Sequence, residues 1–255
     1  MMGAQPAAEI FELRPGVFAL PGGFLWLARS QTLVAADAHL AYEDVIGGAL
    51  PLWSTAESAH ALLLAARRVG AREIVLLGDI IHGSRMSDGA ASAVGSALAL
   101  LRAEAIVTLV AGNHEGRTRG AAILGETEEA IERDGWILIH GDEPVAAPRC
   151  IVGHLHPSLA LGGGAHVPVF LAASHLIVVP ALTPYSNGLN VLGSECSNAL
   201  RGFGEVTGFQ VVASTDDRVF PFGALAQLRQ TLHHAAIKRA PPHVRRRRLR
   251  GDSAS

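Results

Sequence analysis

Eight side chains able to bind a metal or move a proton follow short apolar runs in this chain. Leu33-Val34-Ala35-Ala36 leads to Asp37 and His39, and Ile74-Val75-Leu76-Leu77-Gly78 leads to Asp79. Val107 to Gly112 leads to Asn113 and His114, Trp136 to Ile139 leads to His140, and Cys150 to Gly153 leads to His154 and His156. Two carboxylates, one amide and several imidazoles form a set of oxygen and nitrogen donors. Thiolates are absent from the set, which argues against a structural cysteine-type zinc site and suits Mn²⁺, Fe²⁺ or Zn²⁺. The number of donors fits two ions sharing one ligand. A shared ligand needs two donor atoms on a short stalk, which an aspartate has and a histidine lacks; of Asp37 and Asp79, Asp79 is taken here as the hub. Two such ions can clamp a phosphoryl group and generate hydroxide from a bridging water. Two dications, two aspartates and one hydroxide leave a single positive charge, which one phosphodiester balances and a phosphomonoester dianion exceeds.

These donors must be brought to one edge by the elements before them. Asp79 follows Asp37 by 42 residues and Asn113 follows Asp79 by 34, near the length of one strand–helix–strand unit. Parallel strands joined by helices put their carboxyl ends on one edge, where ligands bind. Strands are expected at Ile10–Leu13, Val17–Leu20, Phe24–Ala28, Leu33–Ala36, Glu73–Leu77, Ile106–Val110, Trp136–Ile139 and Cys150–Val152. Helices are expected over Ser54–Val69, with Arg67 and Arg68 in its last turn and Gly70 after it, over Ala90–Arg102, and as a short acidic helix over Glu126–Arg133. The later strands are Val169–Ala172, Leu176–Val179 and Phe209–Val212, followed by a terminal helix over Leu225–Arg239. A first half alternating strand and helix, then a mostly β second half, predicts an α/β fold with a mixed sheet packed on a second sheet and helices outside.

The chain has 255 residues, 49% of them hydrophobic and 17% charged, enough for one large domain over residues 10–239. Residues 1–9 read as a flexible start and 240–255 as a basic, disordered tail. The net charge of −2 hides an asymmetry: residues 1–237 carry 14 basic and 22 acidic groups. Such a core is a poor general grip on nucleic acid without bound cations. The Arg245–Arg250 run reads as a solvated tail, with a nucleic-acid contact as the alternative. Two cysteines are too few for a disulfide framework and fit a reducing cytoplasm. No signal peptide is expected from Met1–Arg14, and no apolar run approaches a membrane span.

Asp37-Ala-His39, Gly78-Asp79, Gly112-Asn113-His114-Glu115, His140-Gly141 and Gly153-His154-Leu-His156 resemble the five ordered motifs of the calcineurin-like metallophosphoesterases. Asp37-Ala-His39-Leu40-Ala-Tyr42-Glu43, Gly78-Asp79-Ile-Ile-His82, Gly153-His154-Leu-His156-Pro157 and Val179-Pro180-Ala181-Leu182 to Gly188 are similar to a narrower group, the bacterial DNA ligase-associated DNA damage response endonucleases. The likeness spans roughly residues 10 to 222. It implies the α-β-β-α fold, two mixed β-sheets packed as a sandwich with flanking helices. It also implies two divalent ions, Mn²⁺ first, a nucleic-acid substrate (DNA), and a ligase or helicase as repair partner. By position, Asp37, His39 and His156 would hold the first ion, Asn113, His140 and His154 the second, and Asp79 would bridge. His114 would serve as general acid or as a donor to the transition state.

There are departures from the pattern. His82 stands where the wider superfamily often has an aspartate that orients the catalytic histidine, and Ile81 stands where the narrower group has a lysine. Glu115 replaces a common aspartate. His82 is read as either active-site rim or a plain loop residue, and Glu115 as a helix cap or a partner of Arg117. The main reading is a two-metal phosphodiesterase or nuclease acting on DNA in repair. The alternatives are a phosphatase or small-nucleotide phosphodiesterase on the same fold, and a non-catalytic binding scaffold.

Overall fold

The computed structural model describes residues 9–47, 52–82, 86–114, 119–145, 148–162, 164–186, 188–204 and 207–239. Of the start expected to be flexible over residues 1–9, all but Glu9 lies outside the described residues, as do Glu115 and the tail over residues 240–255. The first sheet holds β1 (Phe11–Arg14), β2 (Val17–Ala19), β3 (Leu25–Leu27), β4 (Thr32–Ala36), β5 (Glu73–Leu77) and β6 (Ile106–Val110). Its order follows the chain. The first four strands are joined antiparallel, whereas β4–β5 and β5–β6 are parallel. The short helix α1 (Tyr42–Ile46) and α2 (Trp53–Val69) connect β4 to β5, α3 (Asp88–Arg102) connects β5 to β6, and α4 (Arg119–Leu124) follows β6.

The second sheet holds β7 (Ala130–Arg133), β8 (Trp136–Ile139), β9 (Cys150–Val152), β10 (Pro157–Gly162), β11 (Ala165–Ala172), β12 (Leu176–Val178), β13 (Leu189–Asn190), β14 (Gln210–Ser214) and β15 (Val219–Ala224). Its order is β13-β10-β11-β12-β9-β8-β7, with β14 pairing β11 and β15. The helices α5 (Ser194–Leu200) and α6 (Leu225–Arg239) belong to this half. No helix among the described residues is long and apolar enough to cross a membrane.

Period-two burial explains the layering. In β5 every residue is buried. Val75 and Leu77 pack with Leu138, Ile151, Phe170 and Ile177 of the second sheet, while Ile74 and Leu76 pack with Leu62, Val94 and Leu98 of α2 and α3. A third core joins the far face of the second sheet, through Val152, Val169 and Val178, to Cys196, Leu200 and Leu225. The result is helix, sheet, sheet, helix, as the residue pattern and the family resemblance both led us to expect. Helix α2 ends as anticipated, with Gly70 left-handed and the amide of Ala71 donating to the Ala66 carbonyl. Ser87 caps α3, its hydroxyl accepting from the Ala90 amide. Burial alone pushes the Cys150 thiol up to about 11, in keeping with a small core residue.

The acidic helix expected over Glu126–Arg133 does not form. Glu128 makes a parallel bridge to Val110, and Ala130–Arg133 is β7, antiparallel to β8. Asp134 and Gly135 both have positive φ, 54° and 76°, the requirement of a two-residue hairpin turn. The Asp-Gly pair was therefore a turn signal, and Gly135 does not end a helix. Strands β10 and β15 and helix α5 are further elements that the periodicity did not mark.

The hairpin also carries an interaction between the sheets. Glu73, almost fully buried, accepts from Arg133 Nε and Nη2 at 2.7 Å each, from Thr32 Oγ1 at 3.0 Å and from Thr108 Oγ1 at 2.6 Å. One carboxylate thus ties β4, β5, β6 and β7 at the end opposite the donor edge. Burial raises the Glu73 pKa, but hydrogen bonds from Arg133, Thr108 and Thr32 outweigh it and hold the group below its usual range. Its contribution to stability is therefore complete above the ordinary glutamate value and is lost as pH falls through the depressed native one. Glu73→Gln should lower urea stability at pH 7 by about 1–3 kcal/mol, towards the low end because Arg133 is partly exposed. The deficit should begin to shrink below roughly pH 4, where the unfolded carboxyl takes up its proton, and disappear once pH has fallen through the depressed native value. A deficit independent of pH would mean that the charge of Glu73 is not what matters.

Candidate metal centre

The carboxyl ends of β4, β5, β6, β8 and β9 meet along one edge of the sandwich. Ladder bonds continue past the strands and fix the residues that follow. The amide of Gly78 donates to the Val110 carbonyl, that of His39 to Asp79, that of Gly153 to His140, and that of Thr183 to Asp37. The backbone here is strained: Asp37, His39, Asp79, His154 and His156 all have φ between 40° and 57°. Left-handed backbone costs a non-glycine residue on the order of 1–3 kcal/mol and tends to cluster at functional sites. Five such residues among the seven expected ligands mark this edge independently of residue type.

Two compact donor groups result. Ligating atoms of Asp37, His39 and His156 lie within 4.8 Å of one another, and so do those of Asp79, His140 and His154. Asn113 joins the second group, its Oδ1 being 3.0 Å from His140 Nε2. Asp79 sits between the groups. Its Oδ2 is 3.4 Å from His140 Nε2, 3.9 Å from His39 Nε2 and 3.7 Å from His114 Nε2. Its Oδ1 accepts the His114 amide at 3.0 Å. Asp37 Oδ2 accepts the His154 amide at 2.9 Å, and Oδ1 lies 3.3 Å from His156 Nε2.

Asp37 Oδ1 and His140 Nδ1 are buried without a hydrogen-bond partner among the described residues. Desolvating a carboxylate oxygen unpaired is expensive, and a divalent ion beside Asp37 would offset that cost. The donor set and this orphaned oxygen fit such an ion. The protonation preferences of His39, His154 and Asp79 agree, whereas burial of His140 is outweighed by its contact with Asp79 and by the charge of Asp37, which raise it. Burial pushes His39 down to about 3, helped by His156, His82 and His114 and opposed by Asp79. Burial and the neighbouring His140 lower His154 as well. Both therefore stay neutral near pH 7, the form that binds metal. Burial opposes ionisation of Asp79, but the hydrogen bond and charge of His140 and the His114 amide hold it down to about 2.

His82, read from sequence as rim or loop, belongs to the site. Its Nδ1 is 3.0 Å from His39 Nδ1, and its ring stacks on His114 at 4.5 Å and 26°. It meets His114 by ring stacking. Ile81, in the lysine position, is fully buried in the helix-side core. Ser186 was missed: its hydroxyl lies 2.8 Å from His156 Nδ1, the outer contact that fixes a ligand imidazole. Ser186 lies in the stretch Val179–Gly188, whose residue types do not single it out.

Beside these groups lies a cavity of about 200 Å³, lined by His39, Asp79, His82, His114, His156 and Tyr185 among others. A larger one of about 600 Å³ reaches the site through His140, but Glu129, Asp142 and Glu143 line it. Carboxylates there would repel phosphate, whereas the smaller cavity has Asp79 as its one acidic lining residue.

With this geometry in hand, solved structures can be compared. The chain is similar in fold to the nuclease MPE of Pseudomonas putida. The match has a TM-score of 0.64 at 19% identity and covers 85% of this chain and 100% of the nuclease. The phosphoesterase Yfce from E. coli aligns over 74% of this chain and 95% of its own, at 16% identity and a TM-score of 0.39, too loosely to bear on the fold. No protein-family model and no curated protein matches the sequence. The nuclease thus shares the two-sheet scaffold whose donor edge is described above.

Gly78 makes the second donor group possible, since a Cβ there would fall inside the His140 imidazole, and its φ is 71°. Gly78→Ala should cost about 2–4 kcal/mol from overpacking and left-handed strain, read by urea unfolding. A loss under about 1 kcal/mol would show that His140 does not pack on Gly78.

Proposed function

We propose that this chain is a two-metal phosphodiesterase acting on nucleic acid, with DNA under repair as the substrate class. One observation carries the reading: a single buried carboxylate oxygen, Asp79 Oδ2, lies within 4 Å of imidazoles from both donor groups and of His114. Asp37, His39 and His156 would hold one ion, Asn113, His140 and His154 the other, and Asp79 both. The fold shared with a nuclease supports a nucleic-acid substrate.

Two ions bound there would supply positive charge for phosphoryl oxygens and acidify a water between them. The protein does the rest. Strained strand ends hold the ligands in place before substrate arrives, which lowers reorganisation during the reaction. His114, part-exposed on the cavity with Nε2 3.7 Å from Asp79, is placed to donate a proton or hydrogen bond to the leaving oxygen. His82 stacks on its ring and limits its rotation. Mn²⁺ is the preferred metal in this reading, with Fe²⁺ or Zn²⁺ as alternatives. The phosphatase alternative keeps the same ligands, but the charge balance of two dications, two aspartates and one hydroxide favours a monoanionic diester. A binding scaffold would be expected to have lost ligands, and here the full set converges.

Metal-loaded protein should hydrolyse bis(p-nitrophenyl) phosphate and single-stranded DNA faster than p-nitrophenyl phosphate. Faster monoester turnover would favour the phosphatase. Asp79→Asn should lose at least about a hundredfold in kcat and also bound metal per chain by elemental analysis. Full activity in that variant would refute the bridge. His114→Ala should retain both metals and lose roughly 10²–10⁴-fold in kcat. Loss of metal instead would make His114 a ligand.

A further inference from the structure

This chain contains two tyrosines, and the fold stacks them on each other at the mouth of the metal centre. Tyr42, in the first turn of α1, and Tyr185, in the loop after β12, have ring centroids 5.0 Å apart and planes at 21°. Tyr42 meets His82 edge-on at 4.6 Å, and His82 stacks on His114 at 4.5 Å. Four rings thus run in a row from His114, beside Asp79, out to Tyr185.

This row is not core packing. Neither tyrosine belongs to any of the three hydrophobic clusters, and Tyr185 is 44% exposed. Its polar end is nevertheless held. The Tyr185 hydroxyl donates to Glu43 Oε1 at 3.0 Å, and the same oxygen accepts the Ser54 amide at 2.9 Å. Glu43 itself is 4% exposed. A buried carboxylate that anchors an exposed phenol, with a second ring backing it, fixes a flat apolar surface towards solvent. Aromatic platforms of this kind take nucleobases, since every base has a π-face, and a prefixed ring loses little entropy on binding. The acidic lining on the His140 side disfavours a phosphate chain in the larger cavity, whereas the cavity that Tyr42 and Tyr185 line has Asp79 as its one acidic side chain.

Resting on the phosphodiesterase reading, we infer that Tyr185, backed by Tyr42, stacks on the nucleobase flanking the scissile phosphate and so selects diesters between nucleosides. Tyr185 is then a positioning residue that acts on binding, and its effect falls mainly on KM.

The test uses the metal-loaded full chain and four dinucleotides with one diester each: thymidylyl-thymidine, its two singly abasic forms and the doubly abasic form. Wild type should show kcat/KM roughly five- to a hundredfold higher on thymidylyl-thymidine than on the doubly abasic form, mostly through KM. The singly abasic pair identifies which base is stacked. In Tyr185→Ala that ratio should fall close to one, whereas Tyr185→Phe and Tyr185→Trp should keep it. A wild-type ratio near one overturns the platform. So does a Tyr185→Ala variant that slows both substrates equally and keeps the ratio, as a merely structural tyrosine would. Turnover of bis(p-nitrophenyl) phosphate without turnover of any dinucleotide overturns the platform and leaves the phosphodiesterase reading standing. Failure on every diester removes both.

Discussion

A buried carboxylate surrounded by imidazoles is the constraint around which this structure is arranged. Asp79 is 2% exposed and Asp37 is fully buried, yet both sit where strands end and helices leave the sheet. Charges so placed need compensation. Asp79 finds it partly in His140 and in the His114 amide, while one oxygen of Asp37 has imidazole nitrogens at 3.3 and 3.6 Å but no hydrogen-bond partner within the described residues. The site is therefore organised for cations that the side chains alone do not replace. Left-handed backbone at five of its residues is a cost that only a well-packed scaffold can sustain.

The scaffold meets that demand through sheets buried on both faces. Strands β4 and β5 are buried throughout, against helices on one side and the second sheet on the other. Their register is then strongly fixed, because a slip of one residue would exchange the two packed faces. The Glu73–Arg133 pair adds a polar tie between the sheets at the far end of the same strands. Strand ends from both sheets can therefore be held against each other within ångströms. Around this rigid floor, His82, Tyr42 and Tyr185 form a rim set by ring contacts, with more exposure outward from Asp79.

Much of this was legible in advance. Short apolar runs followed by a donor, three of the five through a glycine, announced strands whose ends carry chemistry, and all five runs are strands. Where reading failed, the physics was non-local or the local signal was misweighed. The acidic stretch over Glu126–Arg133 has helical composition, but the Asp134-Gly135 turn and pairing with β8 prevail. Ser186 and His156 are 30 positions apart, Arg133 and Glu73 60, and Tyr42 and Tyr185 143. No periodicity in a single chain connects such pairs.

The sequence by itself determined the donor types, their order and the strands that deliver them, because apolar period and turn residues act over a few neighbours. Only the tertiary structure decided which donors share an ion-sized space, because β4 to β6 and β8 to β9 lie in different sheets. The distance between their ends is set by how those sheets pack. It also decided that His82 lines the cavity while Ile80 and Ile81 lie in the helix-side core. Asp79, one carboxylate among many in the chain, became the link between two donor groups only when both sheets closed over it.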